Sequence, residues 1–154
     1  MIAATSFHWI DPAVASVKCA AVLKPAGSLA VFWNTAVGRD EGFFLRVQDA
    51  YRAHAPAMAG TEAYRDEYYK EPASLEFFGA PVERRYQWAV EYSAREYIRL
   101  LGTYSDHINL PDKERHNLFS AIEAMIEGEF GGKVLKHYEM TLRIQSKRLI
   151  PSRE

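Results

Sequence analysis

Ser28-Leu29-Ala30-Val31-Phe32-Trp33 is a nearly continuous apolar run. A half-buried strand alternates, so this run predicts a strand covered on both faces, as in a parallel sheet. The residues before it show how the chain arrives there. Pro25-Ala26-Gly27 marks a tight turn. Upstream, Ala13, Val14, Val17, Ala20 and Ala21 recur at helical spacing, up to about Leu23. Asp11-Pro12 opens that helix: aspartate caps it, and proline sits in the first turn, where its missing N–H costs nothing. Met1-Ile2-Ala3-Ala4 reads as the end of a buried strand. Strand end, helix, turn and strand form the back part of a βαβ unit, so residues 1–34 predict an α/β fold with parallel strands.

The rest of the chain is read outward from that unit. Asn34 to Arg39 reads as a loop, and Asp40 as the cap of a helix carrying Phe43, Phe44, Val47, Ala50 and Tyr51. Residues 55–72 read as short helical turns in a mobile surface or lid, and 73–78 as one more helical turn. Val82 to Tyr92 reads as a strand. Ser93-Ala94-Arg95-Glu96 is a capping box, with Tyr92 and Tyr97 placed as a hydrophobic staple. Tyr97, Leu100, Leu101 and Tyr104 then fall on one helical stripe. Thr103 to Leu110 reads as a polar loop. Pro111 opens a helix with Asp112 and Glu114 in its first turn, where the helix dipole favours anions, and with Leu118, Ile122, Met125 and Ile126 as its apolar face. Gly131-Gly132 breaks the chain. In the last strand, Val134, Tyr138, Met140, Leu142 and Ile144 mostly alternate with Lys136, His137, Glu139, Thr141 and Arg143. That pattern predicts an antiparallel strand with one wetter face. One domain is expected over 1–150, in three stretches (1–34, 35–80 and 81–146), with 147–154 as a tail.

Composition excludes several classes. A chain of 154 residues, 48% hydrophobic and 25% charged, is an ordinary globular domain. A net charge of -1 gives no electrostatic footprint for nucleic acid or an anionic membrane. The single cysteine, Cys19, forbids a disulfide within the chain and points to a reducing compartment, so a cytoplasmic location is expected. No run is long enough to span a bilayer, and the start lacks the layout of a signal peptide. The histidines at 8, 54, 107, 116 and 137 show no ligand spacing, so no metal site is expected. Ser105-Asp106-His107 invites a hydrolytic reading on an α+β fold. A cap-and-turn cluster is preferred, because no nucleophile elbow accompanies it.

One ordered set of segments goes further. Ala4-Thr5-Ser6-Phe7-His8-Trp9-Ile10-Asp11 is followed by the alanine-rich helix. Val22-Leu23-Lys24-Pro25-Ala26-Gly27-Ser28-Leu29-Ala30 comes next, and then Phe32-Trp33-Asn34. This resembles the class I S-adenosylmethionine-dependent methyltransferases of the small-molecule, type 11 group. In that family such segments close the fourth strand and turn into the fifth. Ala26 stands where the family usually has glycine. Tyr97 to Leu110 and the Tyr138-x-Met140-x-Leu142 strand are also similar to the family's substrate-side helix, loop and last strand.

The resemblance implies the C-terminal half of a Rossmann-like methyltransferase sheet. The Gly-rich cofactor loop and the acidic residue after the second strand, which approach and hold the cofactor in such folds, are not in this sequence. It also implies a sheet order: the first strand parallel to the 28–34 strand, the last strand antiparallel beside that one, and the 82–90 strand at the outer edge. Residues 35–80 become a substrate-side insertion. The implied cofactor contacts are Ala4, Thr5 and Ser6. His8 is the implied base toward an oxygen or nitrogen acceptor, since a histidine ordinarily titrates near neutrality; a structural corner reading of His8-Trp9 stands beside this one. Trp9, Asn34, Tyr104 and His107 are the implied contacts to a small-molecule methyl acceptor. S-adenosylmethionine is the implied cofactor, with binding by this chain alone in doubt. A non-catalytic remnant acting as an interaction module is the rival reading. In either case the bare first strand offers an unpaired edge, so a homodimer through residues 1–10 is expected.

Overall fold

The computed structural model describes residues 1–38, 42–59 and 75–148. Strand β1 (Ile2–Ala4) pairs in parallel with β2 (Ser28–Val37), Ile2 opposite Ala30 and Ala4 opposite Phe32. Helix α1 (Pro12–Val22) connects them; the Asp11 carboxylate accepts from the Ala13 and Val14 amides at 2.8 and 3.3 Å. The remaining strands are β3 (Val82–Ser93) and β4 (Lys133–Ser146), and the sheet order is β1-β2-β4-β3. The start of β2 lies against the end of β4: Ser28 Oγ is 3.2 Å from Ser146 Oγ, and the Lys147 amide donates to Gly27 O at 2.9 Å. On β3, Glu83 accepts from Arg143 near the end of β4, and Glu91 accepts from Lys133 at its start. Strand β4 therefore runs antiparallel to both neighbours, and β3 is the outer strand. This is the order that the resemblance implies, in an open α/β sheet flanked by helices.

The chain groups into two compact units. The first comprises, among described residues, 1–35, 75–87 and 139–148. Its core is Phe7, Ala15, Cys19, Ala20, Leu29, Val31, Trp33, Leu75 and Phe78. Helix α1 reaches that core through small residues, and Ser16 Oγ accepts from the Phe77 amide at 3.3 Å. Burial pushes the Cys19 thiol above its usual range. The Arg143 guanidinium stacks over Trp33 at 5.3 Å. In the turn into β2, Ala26 is held at φ +56°, the left-handed region that glycine tolerates better. Gly27 cannot change, since a Cβ there would lie 2.9 Å from Lys24 O.

The second unit comprises 36–38, 42–59 and 88–138. Helix α2 (Gly42–His54) buries Phe43, Val47, Ala50 and Tyr51, the stripe expected from sequence. Helix α3 (Ala94–Leu101) begins at a complete capping box: the Ser93 amide donates to Glu96 at 2.9 Å, and the Glu96 amide donates back to Ser93 Oγ at 3.4 Å. Tyr92 and Tyr97 meet edge to face at 6.3 Å, as the staple requires. Helix α4 (Ser105–Ile108) is one turn long. Helix α5 (Asp112–Glu129) buries Leu118, Ile122 and Ile126 completely. Each such side chain contributes roughly 1.5–3 kcal/mol of burial. Arg46 of α2 forks onto Glu129 of α5 at 3.0 and 3.2 Å.

Several expectations are corrected. Asn34 to Val37 is not a loop but the continuation of β2, which ends only at Gly38, φ +72°. The polar stretch 103–110 contains α4. Residues 75–78 form a turn, Phe78 N donating to Leu75 O at 3.0 Å, and Phe78 then bridges to Lys147 instead of extending a helix. Lys147 and Arg148 are bonded to Gly27 O and Phe77 O. In β4, Val134, Lys136 and Tyr138 are buried on one parity and Thr141 and Gln145 on the other, so Lys136 and Thr141 are not on a wet face. Pro56–Met58 is a short helical turn, as expected. The lid expectation for 60–72 and the Asp40 cap lie outside the described residues.

Candidate functional site

In parallel α/β sheets, ligands meet the chain beyond the carboxyl ends of the strands. At the end of β1, the Thr5 amide donates to Phe32 O at 2.9 Å, extending the ladder one residue past Ala4. Thr5 itself is held at φ +46°, unusual for a β-branched residue. The chain then tightens into a helical turn over Phe7–Trp9, closed by Trp9 N to Ser6 O at 3.2 Å and Ile10 N to Phe7 O at 3.1 Å. Phe7 anchors this turn in the core, 5% exposed. With Phe7 turned inward, Ala4, Thr5, Ser6 and Trp9 are exposed and His8 is half-buried. Trp9 is 72% exposed, and its ring lies 4.9 Å from that of His8. Thr5, Ser6, Phe7 and His8 face Val31, Phe32 and Trp33 across a shallow groove that encloses no cavity.

The structure thus brings Ala4, Thr5, Ser6, His8 and Trp9 to one place. Asn34 also lies in the first unit, but inside β2 and exposed, three residues before the strand ends. Tyr104 and His107 belong to the second unit.

There they form part of a buried polar cluster. His107 is 2% exposed. One ring nitrogen, Nδ1, lies 2.9 Å from Asp106 Oδ1, and the other, Nε2, 2.8 Å from Tyr51 OH. Neither nitrogen is left to take a proton from Ser105, which removes the geometry a hydrolytic triad needs. Lys136 is 6% exposed and donates from Nζ to Tyr104 OH at 3.1 Å. Its ammonium lies 5.2 to 5.8 Å from the ring centres of Tyr138, Tyr104 and Tyr97, close enough for the aromatic faces to offset part of its desolvation. Tyr138 stacks under Trp88 at 4.5 Å, and its hydroxyl meets that of Tyr92 at 3.2 Å. Burial pushes the Tyr138 hydroxyl far above the ordinary phenol range, so it stays protonated. The sequence places Tyr51, Lys136 and Tyr138 on their elements but not in this cluster. A signal existed for Lys136, which shares the parity of Val134 and Tyr138. Among the described residues, no three histidines, cysteines or carboxylates gather as a metal site, and no helix is long and apolar enough to cross a membrane.

No family model and no curated protein matches the chain. The solved structures similar to it include these two. One, assigned as a type II methyltransferase of Anaeromyxobacter dehalogenans, aligns over 97% of this chain at 18% identity and a TM-score of 0.48. This chain spans 64% of that protein's length. The other, assigned as a methyltransferase of Bacillus halodurans, aligns over 96% of this chain at 15% identity and a TM-score of 0.38, and 70% of it is covered.

Proposed function

We propose that the chain is the C-terminal part of an S-adenosylmethionine-dependent methyltransferase that acts on a small-molecule acceptor. The observation that carries this reading is the backbone of Thr5. A β-branched residue kept in the left-handed region costs on the order of 1 kcal/mol or more. That strain sits at the carboxyl end of a parallel strand, beside the groove lined by Thr5 to His8. The order of the segments around residues 4–34 and the antiparallel insertion of β4 support the same reading.

When bound, S-adenosylmethionine supplies an activated methyl group on a sulfonium. Displacement from a sulfonium depends more on orientation than on acid–base groups. Thr5 and Ser6 present hydroxyls and backbone groups that would hold the methionine end. His8, half-buried beside them, would take the proton of an oxygen or nitrogen acceptor. The exposed ring of Trp9 offers a flat apolar wall to that acceptor, and Asn34 an exposed amide. The implied contacts reach only the methionine end, so this chain alone binds the cofactor weakly.

A titration with S-adenosylmethionine tests this, read by amide NMR and by calorimetry. The expected result is amide shifts confined to Thr5–Trp9 and β2, with no saturable calorimetric site in the low micromolar range. Unperturbed amides at Thr5–His8 with millimolar cofactor would overturn the reading.

A second reading, a non-catalytic interaction module, is favoured by one observation. Val14, Val17 and Val22 of α1 are exposed, and β1 pairs on one side only among the described residues. A second copy joining the free edge of β1 would cover both. The nucleotide sequence upstream of the Met1 codon separates the two readings: an in-frame strand and Gly-rich loop supports the enzyme, a stop codon the module.

A further inference from the structure

The outer strand β3 is twelve residues long, and all six residues from Arg84 to Ala89 are exposed, the alanine included. Among the described residues no strand pairs with its outer edge, and a bare strand edge is a template for another strand. The side chains along this edge are not arranged at random. Odd positions carry Glu83, Arg85 and Glu91 with the smaller or uncharged Gln87, Ala89 and Ser93. Even positions carry Val82, Tyr86, Trp88, Val90 and Tyr92, with Arg84 as their one charge. Both faces are fixed by β4. On one face Arg85 meets Glu139 at 3.2 Å, Arg143 meets Glu83 at 2.9 Å and Lys133 meets Glu91 at 2.7 Å. On the other, Trp88 is stacked on Tyr138.

We infer that β3 is a two-fold docking edge for a second copy of this chain, paired antiparallel with Trp88 on the axis. A two-fold axis perpendicular to the sheet sets residues of like parity opposite each other, so each face meets its own kind. With Trp88 opposite the partner's Trp88, Arg85 faces the partner's Glu91 twice over. Arg84 faces the partner's Tyr92, and Tyr86 the partner's Val90. Every cross-strand pair of long side chains is then of opposite charge, cation on aromatic, or apolar. Neighbouring registers lose this. A shift one way sets Glu83 against the partner's Glu91, and a shift the other way sets Glu91 against Gln87. Arg85 and Glu91 keep 62% and 58% exposure despite their partners within the chain, so each is open to a second. Trp88, 43% exposed and held by its stack on Tyr138, is a rigid aromatic anchor of the kind that dominates interfaces. Strand β1, by comparison, offers only Ile2–Ala4 for edge pairing. The inference is independent of the methyltransferase reading.

Charge reversal tests it. Sedimentation of the 154-residue chain over a wide concentration range should show a reversible dimer. Arg85→Glu and Glu91→Arg should each weaken association by about tenfold or more, since each sets like charges together at both symmetric contacts. The double variant should regain the dimer, and so should an equimolar mixture of the two single variants, in which every contact is again Glu on Arg. Both exchanged positions are exposed, and circular dichroism checks that each variant is folded. A monomer at every concentration would overturn the inference. So would a dimer indifferent to both single variants, and one dissolved only by Ile2→Lys would assign the contact to the N-terminal strand instead.

Discussion

Helices α1 and α5 are both striped with apolar residues, yet they use them in opposite ways. Helix α5 points its large side chains inward, with Leu118, Ile122 and Ile126 each at 0% exposure. Helix α1 buries Ala15, Ser16, Cys19 and Ala20 and leaves Val14, Val17 and Val22 between 44% and 68% exposed. The small residues let α1 lie close to the sheet. The valines form a second apolar face with nothing described over it, and a patch of that kind marks a contact surface. The unit around α5 is closed on itself, whereas the unit around α1 carries surface made for something else, together with the two non-glycine residues that have positive φ among the described residues, Thr5 and Ala26.

Core truncation should show this contrast most strongly. Ile122→Ala should cost about 2–5 kcal/mol, because a fully buried isoleucine leaves a cavity. Val17→Ala should change stability by less than about 0.5 kcal/mol, as exposed positions do. Urea denaturation measures both, and equal losses would mean that the outer face of α1 is covered in solution. Next in size is Tyr51→Phe. It leaves Nε2 of the buried His107 without its partner at 2.8 Å, and an unsatisfied buried group costs about 1–3 kcal/mol. A loss near zero would show that the cluster around His107 admits water. The smallest effect sharpens the comparison from the other side. Ala26→Gly should stabilise the chain by about 0.5–1 kcal/mol, since relief of the left-handed strain outweighs the entropy of glycine. Gly27→Ala, one residue on, should destabilise it, because the new methyl meets Lys24 O.

What could be read from the sequence was what is decided locally. The Asp11 cap, the Ser93–Glu96 box and the periodicity of α2 and α5 each need only a few neighbouring residues, and each stands where it was expected. The order of the strands was legible through the resemblance of residues 4–34, not through periodicity. The extension of β2 was hidden because Asn34 and Thr35 are polar, and only pairing within the sheet keeps them extended. Helix α4 was hidden because its four residues are too short for any period and its histidine is buried by tertiary contacts. At the candidate site, the sequence pointed to Thr5, Ser6 and His8 as neighbours but gave no sign that Thr5 is strained. Asn34 was placed one element too late. Lys136 was misassigned because charge outweighed parity, where three tyrosine rings make its burial tolerable.

Strand β4 also sets a timetable. It lies between β2 and β3, although both precede it in the chain, and Ser28 meets Ser146 across 118 residues of sequence. During synthesis β2 and β3 therefore emerge without the strand that joins them, and each must wait with a free edge until residues 133–146 leave the ribosome. Pairings this distant are slow to form, since the loop must close before any bond rewards it. Helices α2, α3 and α5 are complete before that strand emerges, so β4 is the last piece of the sheet to become available. Anything that delays that step leaves two unpaired edges exposed to other nascent chains.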